Sequence, residues 1–263
     1  MASLIFYEKA VALDRNRHQN LKIQTKADHF SFSRKTNSVF LAGSEFSEAA
    51  HDYPIVFVGP ENGPFTAVAL VGLTGDDNLM VGADGAWDAG TYIPAFIRRY
   101  PFVLAGAEQA ETLTVCLDEA YPGLGQQDGE SFFNPDGTET AYLKNVIEFL
   151  RLFHAEMHRT NAFASKLAQL GLLSSKVITV EFEGQKRNLE GLWLVDEQKL
   201  LALDDAQTLE LVRSGYMGLI YAHFLSLSNV VRLARREDQR RKAEAARALS
   251  GVQATEPGSN VVH

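Results

Sequence analysis

The chain has 263 residues, 46% of them hydrophobic and 22% charged, which is typical of a globular protein with a sizeable buried core. A formal net charge of -8 at pH 7 indicates an acidic surface that repels phosphate backbones, which argues against nucleic acid as a main partner. A single cysteine excludes an internal disulfide framework and fits a reducing compartment, so we expect a cytoplasmic protein.

The segment 21–117 is predicted to be rich in β-structure, because short apolar runs alternate there with Gly, Pro, Asn and Asp. Runs of strand length lie at 38–42, 54–58, 65–73, 102–105 and 113–117. Their close spacing favours antiparallel hairpins over a doubly wound parallel sheet. A short helix is predicted over 93–100, where Pro94 suits the first turn. Cys116 is interpreted as a buried and unreactive strand residue, because acidic residues follow it.

The pattern changes after the β-rich segment. The Gly-rich polar loop 118–138 is long enough to be either functional or mobile. Apolar residues at helical spacing then predict a long helix over 139–170 that ends at Gly171. The apolar period next becomes two, which predicts a β-hairpin over 177–195 with its turn at Gly184.

We expect an α+β domain over 1–236, β-rich and mainly antiparallel at 21–117 and helix-rich with a β-hairpin at 139–236. A helix behind an Asp cap is predicted over 203–212. The tail 237–263 is charged and then polar, so its first part extends the preceding helix and its last part is expected to be disordered.

The last core helix is predicted over 217–236 and includes the most apolar part of the chain, 216–233. That part is short for a membrane span and contains His223 and Asn229, so we expect a buried core helix and no transmembrane segment. The first residues lack a basic region and a long apolar region, so a cleaved signal peptide is not expected.

His154 and His158 are four residues apart on the predicted long helix, as zinc-binding helices require. Glu156 does not follow the first histidine directly, as it would in a zinc protease, so we interpret the pair as the border of an apolar face. Acidic turns at 76–88 and 134–137 could offer oxygen ligands to calcium, but their spacing is not that of a calcium loop and favours ordinary turns. We therefore predict no metal site.

Fingerprints of other known chemistries are absent by spacing. The glycines at 123, 125 and 129 do not form a dinucleotide-binding motif, and no phosphate-binding loop is present. No G-x-S-x-G elbow anchors a hydrolase triad. We expect no cofactor, and any catalytic residues are unknown from the sequence.

The run 87–102 combines aromatic residues with paired arginines and prolines, and it is the most distinctive part of the chain. Rigid aromatics beside cationic hydrogen-bond donors suit a recognition surface. The predicted binding residues are Trp87, Tyr92, Phe96, Arg98, Arg99, Tyr100 and Phe102. The alternative is a packed corner in which the aromatics belong to the core and the arginines cap carbonyl groups.

Basic residues cluster at 232–236 and 240–242, in contrast to the acidic character of the chain. They could meet an acidic partner or an anionic surface. A solvated helix end is the favoured interpretation, because cations stabilise the C-terminal end of a helix.

Four segments resemble the bacterial SapC family, in the same order along the chain: YPIVF at 53–57, YIPAFIRRYPF at 92–102, FFNPDG at 132–137 and GYMGLIYAHFLSL at 215–227. The family is named after a surface-layer-associated protein, and related genes often lie near those for TonB-dependent receptors. The resemblance implies an accessory role in a surface or nutrient-uptake system. It implies no catalytic residues.

Two functions follow as hypotheses. The first is a non-enzymatic binding or accessory protein of such a system, with a protein partner or a small ligand and contacts at 87–102 and 118–138. The second is an enzyme acting on a peptide, sugar or amino-acid-derived substrate, with His154 or loop carboxylates as acid and base.

Overall fold

The structure is a computed structural model that describes residues 5–253 except 27, 74, 76, 107–112 and 183–184. The strands are β1 (Ala10–Ala12), β2 (Lys22–Ile23), β3 (Ser38–Phe40), β4 (Ile55–Val58), β5 (Thr66–Leu70), β6 (Phe102–Ala105), β7 (Thr114–Asp118), β8 (Leu124–Gly125), β9 (Glu130–Ser131), β10 (Leu173–Phe182) and β11 (Gln185–Val195). The helices are α1 (Arg15–His18), α2 (Phe46–Ala49), α3 (Ala95–Arg98), α4 (Ala141–Gln169), α5 (Glu197–Leu201), α6 (Asp205–Arg213), α7 (Tyr216–Ser226) and α8 (Asn229–Gln253). Short 3-10 turns lie at His29–Ser33 and Gly43–Glu45.

The strand pairs among the described residues are antiparallel and form three sheets. The main sheet has the order β10-β11-β4-β5-β3, and the smaller sheets have the orders β1-β7-β6 and β8-β2-β9. The hairpin β10–β11 joins β4 where Trp193 pairs with Phe57. The hairpin of the C-terminal half therefore extends the sheet built by the N-terminal half.

The predicted α+β class is confirmed, and so are most of the longer elements. The runs at 38–42, 54–58, 65–73, 102–105 and 113–117 become β3 to β7, and the hairpin predicted over 177–195 is β10–β11. Its predicted turn residue, Gly184, lies outside the described residues. Asp204 caps α6 by accepting a hydrogen bond from the Gln207 N–H at 2.7 Å.

The long helix α4 is delimited by local chemistry at both ends. The Thr140 hydroxyl caps its first turn by accepting from the Leu143 N–H at 3.2 Å. Gly171 follows the helix with a φ of 67°, which few residues other than glycine adopt. The N–H groups of Gly171 and Leu172 bond back to the carbonyls of Ala168 and Leu167, as in a Schellman motif.

One face of α4 packs onto the sheets and supplies much of the core. Leu150, Phe153, Phe163 and Leu167 are buried along this face, against β5 and β6. Burying each such side chain contributes about 1.5–3 kcal/mol. The helix is therefore held by its apolar stripe, and its rim positions remain available for polar residues.

The last core helix differs from the prediction. The helix predicted over 217–236 is two helices, α7 and α8, separated by a turn at Leu227 and Ser228. The Ser226 hydroxyl donates to the His223 carbonyl at 2.6 Å and accepts from the Ile55 N–H at 2.9 Å, which ties the end of α7 to β4. α8 continues through the charged stretch 237–248, and residues 254–263 lie outside the described residues.

Within the described residues, the segment Tyr216–Ala248 contains one window long and apolar enough to cross a membrane. That segment includes the break between α7 and α8. Its buried His223 binds the sheet from both ring nitrogens, with Ile55 O at 2.7 Å and Val195 N at 3.2 Å. These contacts suit a core helix, and the prediction of no transmembrane segment stays a prediction.

The basic residues of α8 bind within the chain. Arg236 forms an ion pair with Asp88 at 2.6 Å. Arg240 binds Asp77 Oδ1 at 2.8 Å and donates to the Val81 carbonyl at 2.7 Å. The favoured interpretation of these cations as a solvated helix end was therefore wrong for Arg236 and Arg240, because these two fasten the loop at 77–88 to α8. The other basic residues of the two clusters are exposed, as that interpretation predicts: Arg232, Arg235, Arg241 and Lys242.

Candidate functional site

A pocket of about 390 Å³ lies between α4 and the N-terminal sheets. Its wall on the sheet side is formed by residues of β3, β5 and β6, by α3 and by the turn before β5. The side chains that line it are Phe40, Pro64, Phe65, Thr66, Phe96, Arg99, Leu104, Leu113, Leu150, Phe153, His154, Met157, His158, Asn161 and Ser165, with Gly106 at its edge. The lining is mostly apolar with a few convergent polar groups, as in sites for small molecules.

α4 contributes two stripes to the pocket. Leu150, Phe153 and Met157 recur at intervals of three and four residues, so they share one apolar face. His154, His158, Asn161 and Ser165 form a neighbouring polar stripe of the same helix. The helix therefore presents an apolar floor and a polar rim to the same cavity.

Arg99 brings a positive charge into this pocket from the end of α3. It is buried, and its guanidinium carbon lies 4.1 Å from the Phe96 ring centroid and 5.6 Å from that of Phe153. Cations are attracted to the faces of aromatic rings, so these contacts fix the guanidinium between the two phenylalanines. Burial lowers the pKa of Arg99 from its ordinary value, but an arginine stays charged in proteins.

Tyr7 holds Arg99 from the side of the N-terminal segment. The Tyr7 hydroxyl interacts electrostatically with the Arg99 guanidinium, and it donates a hydrogen bond to the Phe102 carbonyl at 2.7 Å. Burial raises the pKa of Tyr7 to about 12, so the hydroxyl keeps its proton. Tyr7 therefore connects the N-terminal segment both to Arg99 and to the start of β6.

The two histidines of α4 contact each other at the pocket rim. Their ring centroids are 4.5 Å apart and the rings meet edge to face. Burial and the nearby His158 lower the pKa of His154, so His154 is largely neutral at pH 7. Among the described residues, no group of three or more His, Cys, Asp or Glu side chains is placed to hold a metal ion. A zinc site at this pair therefore lacks further ligands in the described part of the chain.

The predicted binding residues divide between the pocket and the core. Phe96 and Arg99 line the pocket. Trp87, Tyr100 and Phe102 are buried and pack against other aromatic rings, as the packed-corner alternative predicts. The run thus does not form a continuous exposed surface.

Tyr92 and Arg98 lie at the edge of the corner. The Tyr92 hydroxyl donates to the buried carboxylate of Glu45 at 2.8 Å, and burial raises the pKa of Tyr92 to about 12. Arg98 is exposed, and it donates to the Ile93 carbonyl at 2.9 Å. Arg98 is thus the exposed member of the predicted binding set, and it caps a carbonyl as the structural alternative predicts.

The Tyr53 side chain ties the corner to the segment after α2. Its hydroxyl donates to the Tyr92 carbonyl, and it accepts a hydrogen bond from the Trp87 indole N–H at 3.3 Å. Asp52 accepts from the Tyr92 N–H at 2.8 Å. Asp52 and Tyr53 lie shortly after α2 in the chain. Their hydrogen bonds therefore join α2 and the run 87–102 into one packed unit, which positions α3 and Arg99.

Asp118 is a buried carboxylate with a structural role. It accepts hydrogen bonds from the N–H groups of Glu8 at 3.0 Å and Lys9 at 2.8 Å, and from the Tyr100 hydroxyl at 3.2 Å. These bonds tie the N-terminal segment, including Tyr7, to the end of β7. Asp118 is thus committed to internal bonds and does not line the pocket.

Cys116 lies in β7 as predicted, where it pairs with Ala12 and Val103 of the neighbouring strands. Its side chain is partly exposed, so the prediction of a buried cysteine was wrong. Partial burial raises the pKa of its thiol. A raised pKa disfavours the thiolate, and Cys116 is accordingly a poor nucleophile.

The acidic turns use their oxygens internally. Asp84 accepts from the Ala86 N–H at 3.1 Å, and Asp77 and Asp88 pair with arginines of α8. Asp136 accepts from the Thr138 N–H at 2.9 Å, as in an ordinary turn. Asp76 lies outside the described residues. These bonds favour the turn interpretation over a calcium loop.

The Gly-rich loop 118–138 contains β8 and β9, which pair with β2. Its last residues border a second, wider cavity of about 800 Å³, together with Asp14 and Arg15. The Asp14 carboxylate there caps α1 by accepting from the N–H groups of Asn16 and Arg17, both at 2.9 Å. The Asp14 carboxylate of this cavity is thus already hydrogen-bonded. Phe133 is the aromatic residue among its described lining residues, whereas several phenylalanines line the pocket beside α4.

Sequence reasoning identified Arg99, Phe96, His154 and His158, but it placed them in two separate proposals. It missed Tyr7 altogether, because an isolated tyrosine near the first residues carries no motif. Only the packing of α4 against β5 and β6 brings the two sets to one pocket.

The comparisons with known proteins agree with the resemblance seen in the sequence. Searches of curated proteins and of solved structures found no match. The family model SapC matches residues 13–233, a range that includes α3, α4 and every pocket-lining side chain named above. The chain therefore belongs to the SapC family.

Proposed function

We propose that this chain is a non-enzymatic binding protein, accessory to a bacterial surface or TonB-dependent nutrient-uptake system, that holds a small ligand beside α4. The observation that supports the proposal most is the pocket of about 390 Å³, whose apolar walls enclose the oriented cation of Arg99. Pockets of about 300–1,000 Å³ with few polar groups suit small molecules. The association with an uptake system is drawn from the SapC resemblance.

The chemistry of the lining favours binding over catalysis. A catalytic histidine is commonly oriented by a third group, most often a carboxylate. Among the described lining residues there is no carboxylate and no cysteine. The ring of His154 instead contacts the ring of His158. This arrangement can hold a ligand, but it does not include a nucleophile with an oriented base.

The proposal places the protein in the cytoplasm. Cys116 is a single, partly exposed cysteine, and such a thiol persists most readily in a reducing compartment. A ligand delivered by an uptake system would meet the protein there.

The second candidate is an enzyme that acts on a peptide, sugar or amino-acid-derived substrate. One observation favours it: His154 lines the pocket with a lowered pKa, so its neutral form is available as a base at pH 7. The carboxylates of the loop 118–138 do not line this pocket. A reaction there would therefore depend on His154 rather than on a pair assembled from loops.

Incubating the purified protein with a metabolite extract, followed by ultrafiltration and mass spectrometry, separates the two candidates. A binding protein retains a compound unchanged, and Met157→Trp, which fills the pocket, abolishes the retention. Leu152→Trp is the matched control, because Leu152 is an exposed residue of α4 outside the pocket lining. Retention that is equal in both variants contradicts the binding proposal, and time-dependent conversion of a compound supports the enzyme.

A further inference from the structure

We infer that the protein docks on an anionic membrane surface through the outer face of α7, formed by Gly218, Tyr221 and Leu225. The contact is peripheral, with α7 lying on the lipid surface and not spanning it. This inference goes beyond the proposed function and does not depend on it, because the outer face of α7 does not line the pocket beside α4.

The helix α7 is apolar on all sides. Its inner side is buried at Ile220 and at His223, which binds the sheet. On its outer side, Tyr221 is 53% exposed and Leu225 is 74% exposed. α7 contains no Asp, Glu, Lys or Arg. A helix that is apolar all round is typical of a protein core or of contact with lipid, and here the core covers one side only.

The apolar character extends beyond what the core needs. Only 39% of the most apolar window of Tyr216–Ala248 is buried. Val231, the next exposed large apolar residue along the chain, is 46% exposed at the start of α8. Since His223 fixes the inner side of α7 to β4 and β11, the exposed part is suited to lie on a membrane rather than to cross it.

The charges next to this face are positive, although the chain has a formal net charge of -8. The segment 211–236 contains four arginines and no Asp or Glu. Arg236 is paired with Asp88. Arg213 and Arg235 are exposed and have no ion-pair partner among the described residues. They precede and follow the outer face of α7 along the chain, and basic residues that flank exposed apolar ones favour anionic lipid headgroups.

Carboxylates on the elements packed against α7 reduce this attraction only in part. Glu210 of α6 is paired with Lys166 at 2.7 Å. Glu48 of α2 is exposed. The apolar contact should therefore supply most of the binding, and added salt should weaken the binding without abolishing it.

A second copy of the chain fits this face less well. A stable interface buries about 800 Å² per partner and involves about 20–30 residues a side. The exposed large apolar residues of α7 and of the described part of α8 are Tyr221, Leu225 and Val231, which form a narrow strip. In a two-fold dimer the same patch meets itself, so its unpaired arginines would approach each other. A tyrosine beside a leucine instead suits the boundary between headgroups and acyl chains.

Co-sedimentation with vesicles tests the inference. We expect the protein to bind vesicles of phosphatidylethanolamine and phosphatidylglycerol, mixed at about three to one, more tightly than vesicles of phosphatidylcholine. Leu225→Ser should reduce the partition coefficient about tenfold, because a leucine side chain no longer leaves water. Leu152→Ser is the matched control, since Leu152 is a 57% exposed leucine of α4, and it should bind as the unmodified protein does.

Two further variants report on charge and position. Arg235→Gln should weaken binding to the anionic vesicles about fivefold and leave binding to phosphatidylcholine unchanged. Leu225→Trp places an indole on the outer face of α7, and its fluorescence should shift to shorter wavelengths when anionic vesicles are added. The unmodified protein, with Trp87 and Trp193, is the reference for this shift.

Three results would overturn the inference. The first is a protein that does not sediment with the anionic vesicles. The second is an equal loss of binding in Leu225→Ser and Leu152→Ser, or fluorescence of Leu225→Trp that does not respond to vesicles. The third is a dimer in analytical ultracentrifugation that Leu225→Ser converts to monomers, which assigns the face to a second copy. Retention of a metabolite in the pocket beside α4 is measured separately, so the proposed function stands or fails independently.

Discussion

The buried His223 makes a sharp prediction about stability and pH. Its ring accepts a hydrogen bond from the Val195 N–H at 3.2 Å and donates one to the Ile55 carbonyl at 2.7 Å, so both nitrogens are used by the neutral form. Burial lowers the pKa of His223 to about 4 from an ordinary value of 6.5. A proton on Nε2 would remove the acceptor for Val195 and leave a charge inside the core.

The sign and size of the effect follow from proton linkage. The unfolded chain binds this proton more tightly than the folded chain does, so acid favours unfolding. The contribution of His223 is fully present above pH 6.5 and is lost as the pH falls from 6.5 towards 4. Each pKa unit is worth about 1.4 kcal/mol, so His223 should remove about 2.5 kcal/mol from the unfolding free energy between pH 7.5 and pH 4.5.

Urea unfolding monitored by circular dichroism at both pH values measures this loss. His223→Gln cannot titrate in this range, so we expect it to be less stable at pH 7.5 but to lose about 2.5 kcal/mol less on acidification. His51→Gln, at an exposed histidine, is the matched control and should follow the unmodified protein. Parallel stability curves for His223→Gln and the unmodified protein would refute the reasoning.

Further predictions concern the elements that position the pocket. Asp118→Asn should lower the unfolding free energy by about 2–3 kcal/mol, because a buried carboxylate with several donors becomes neutral; urea unfolding checks this, and an unchanged midpoint speaks against it. Arg240→Ala should cost about 1–2 kcal/mol and speed amide exchange at 77–82, since its bonds to Asp77 and Val81 are lost; exchange that stays slow there would contradict the fastening role of α8. Gly215→Ala should cost about 1 kcal/mol in thermal unfolding, because Gly215 has a φ of 78° in otherwise open space; an unchanged melting temperature would show that this strain is relieved.

Local patterns accounted for the elements that are long enough to show a period. α4 repeats apolar residues over eight turns of helix, and β4 to β7 are compact apolar runs between turn residues. Strands such as β2 and β8 have two residues each and exist only because they pair with distant segments. A short stretch of sequence therefore cannot predict these strands.

The break between α7 and α8 shows a different limit. The residues around Leu227 and Ser228 have no proline or glycine, so the helical pattern reads through them. In the structure, the Ser226 hydroxyl binds Ile55 and the Asn229 amide donates to the Ala50 carbonyl at 2.7 Å. These tertiary hydrogen bonds accompany the turn, and sequence periodicity cannot anticipate them.

The candidate site was predictable in composition but not in assembly. Aromatic and cationic residues at 92–102 stood out in the sequence, and so did the histidine pair. Whether Arg98 or Arg99 faces solvent depends on how α3 docks against Glu45 and α4, and the structure turns Arg99 inward. Alternation along a four-residue helix is too short to reveal that choice.

The central claim is that the pocket beside α4 binds a small ligand, and the methyl resonance of Met157 reports on it directly. In protein labelled with [ε-¹³C]methionine, Met80 in the core and Met217 on α7 serve as internal references, because neither lines the pocket. Titration with the compound that the protein retains from the metabolite extract should shift the Met157 signal in a saturable manner and leave both references in place. A Met157 signal that does not move at millimolar concentration of this compound, or equal movement of the Met157, Met80 and Met217 signals, would contradict the account.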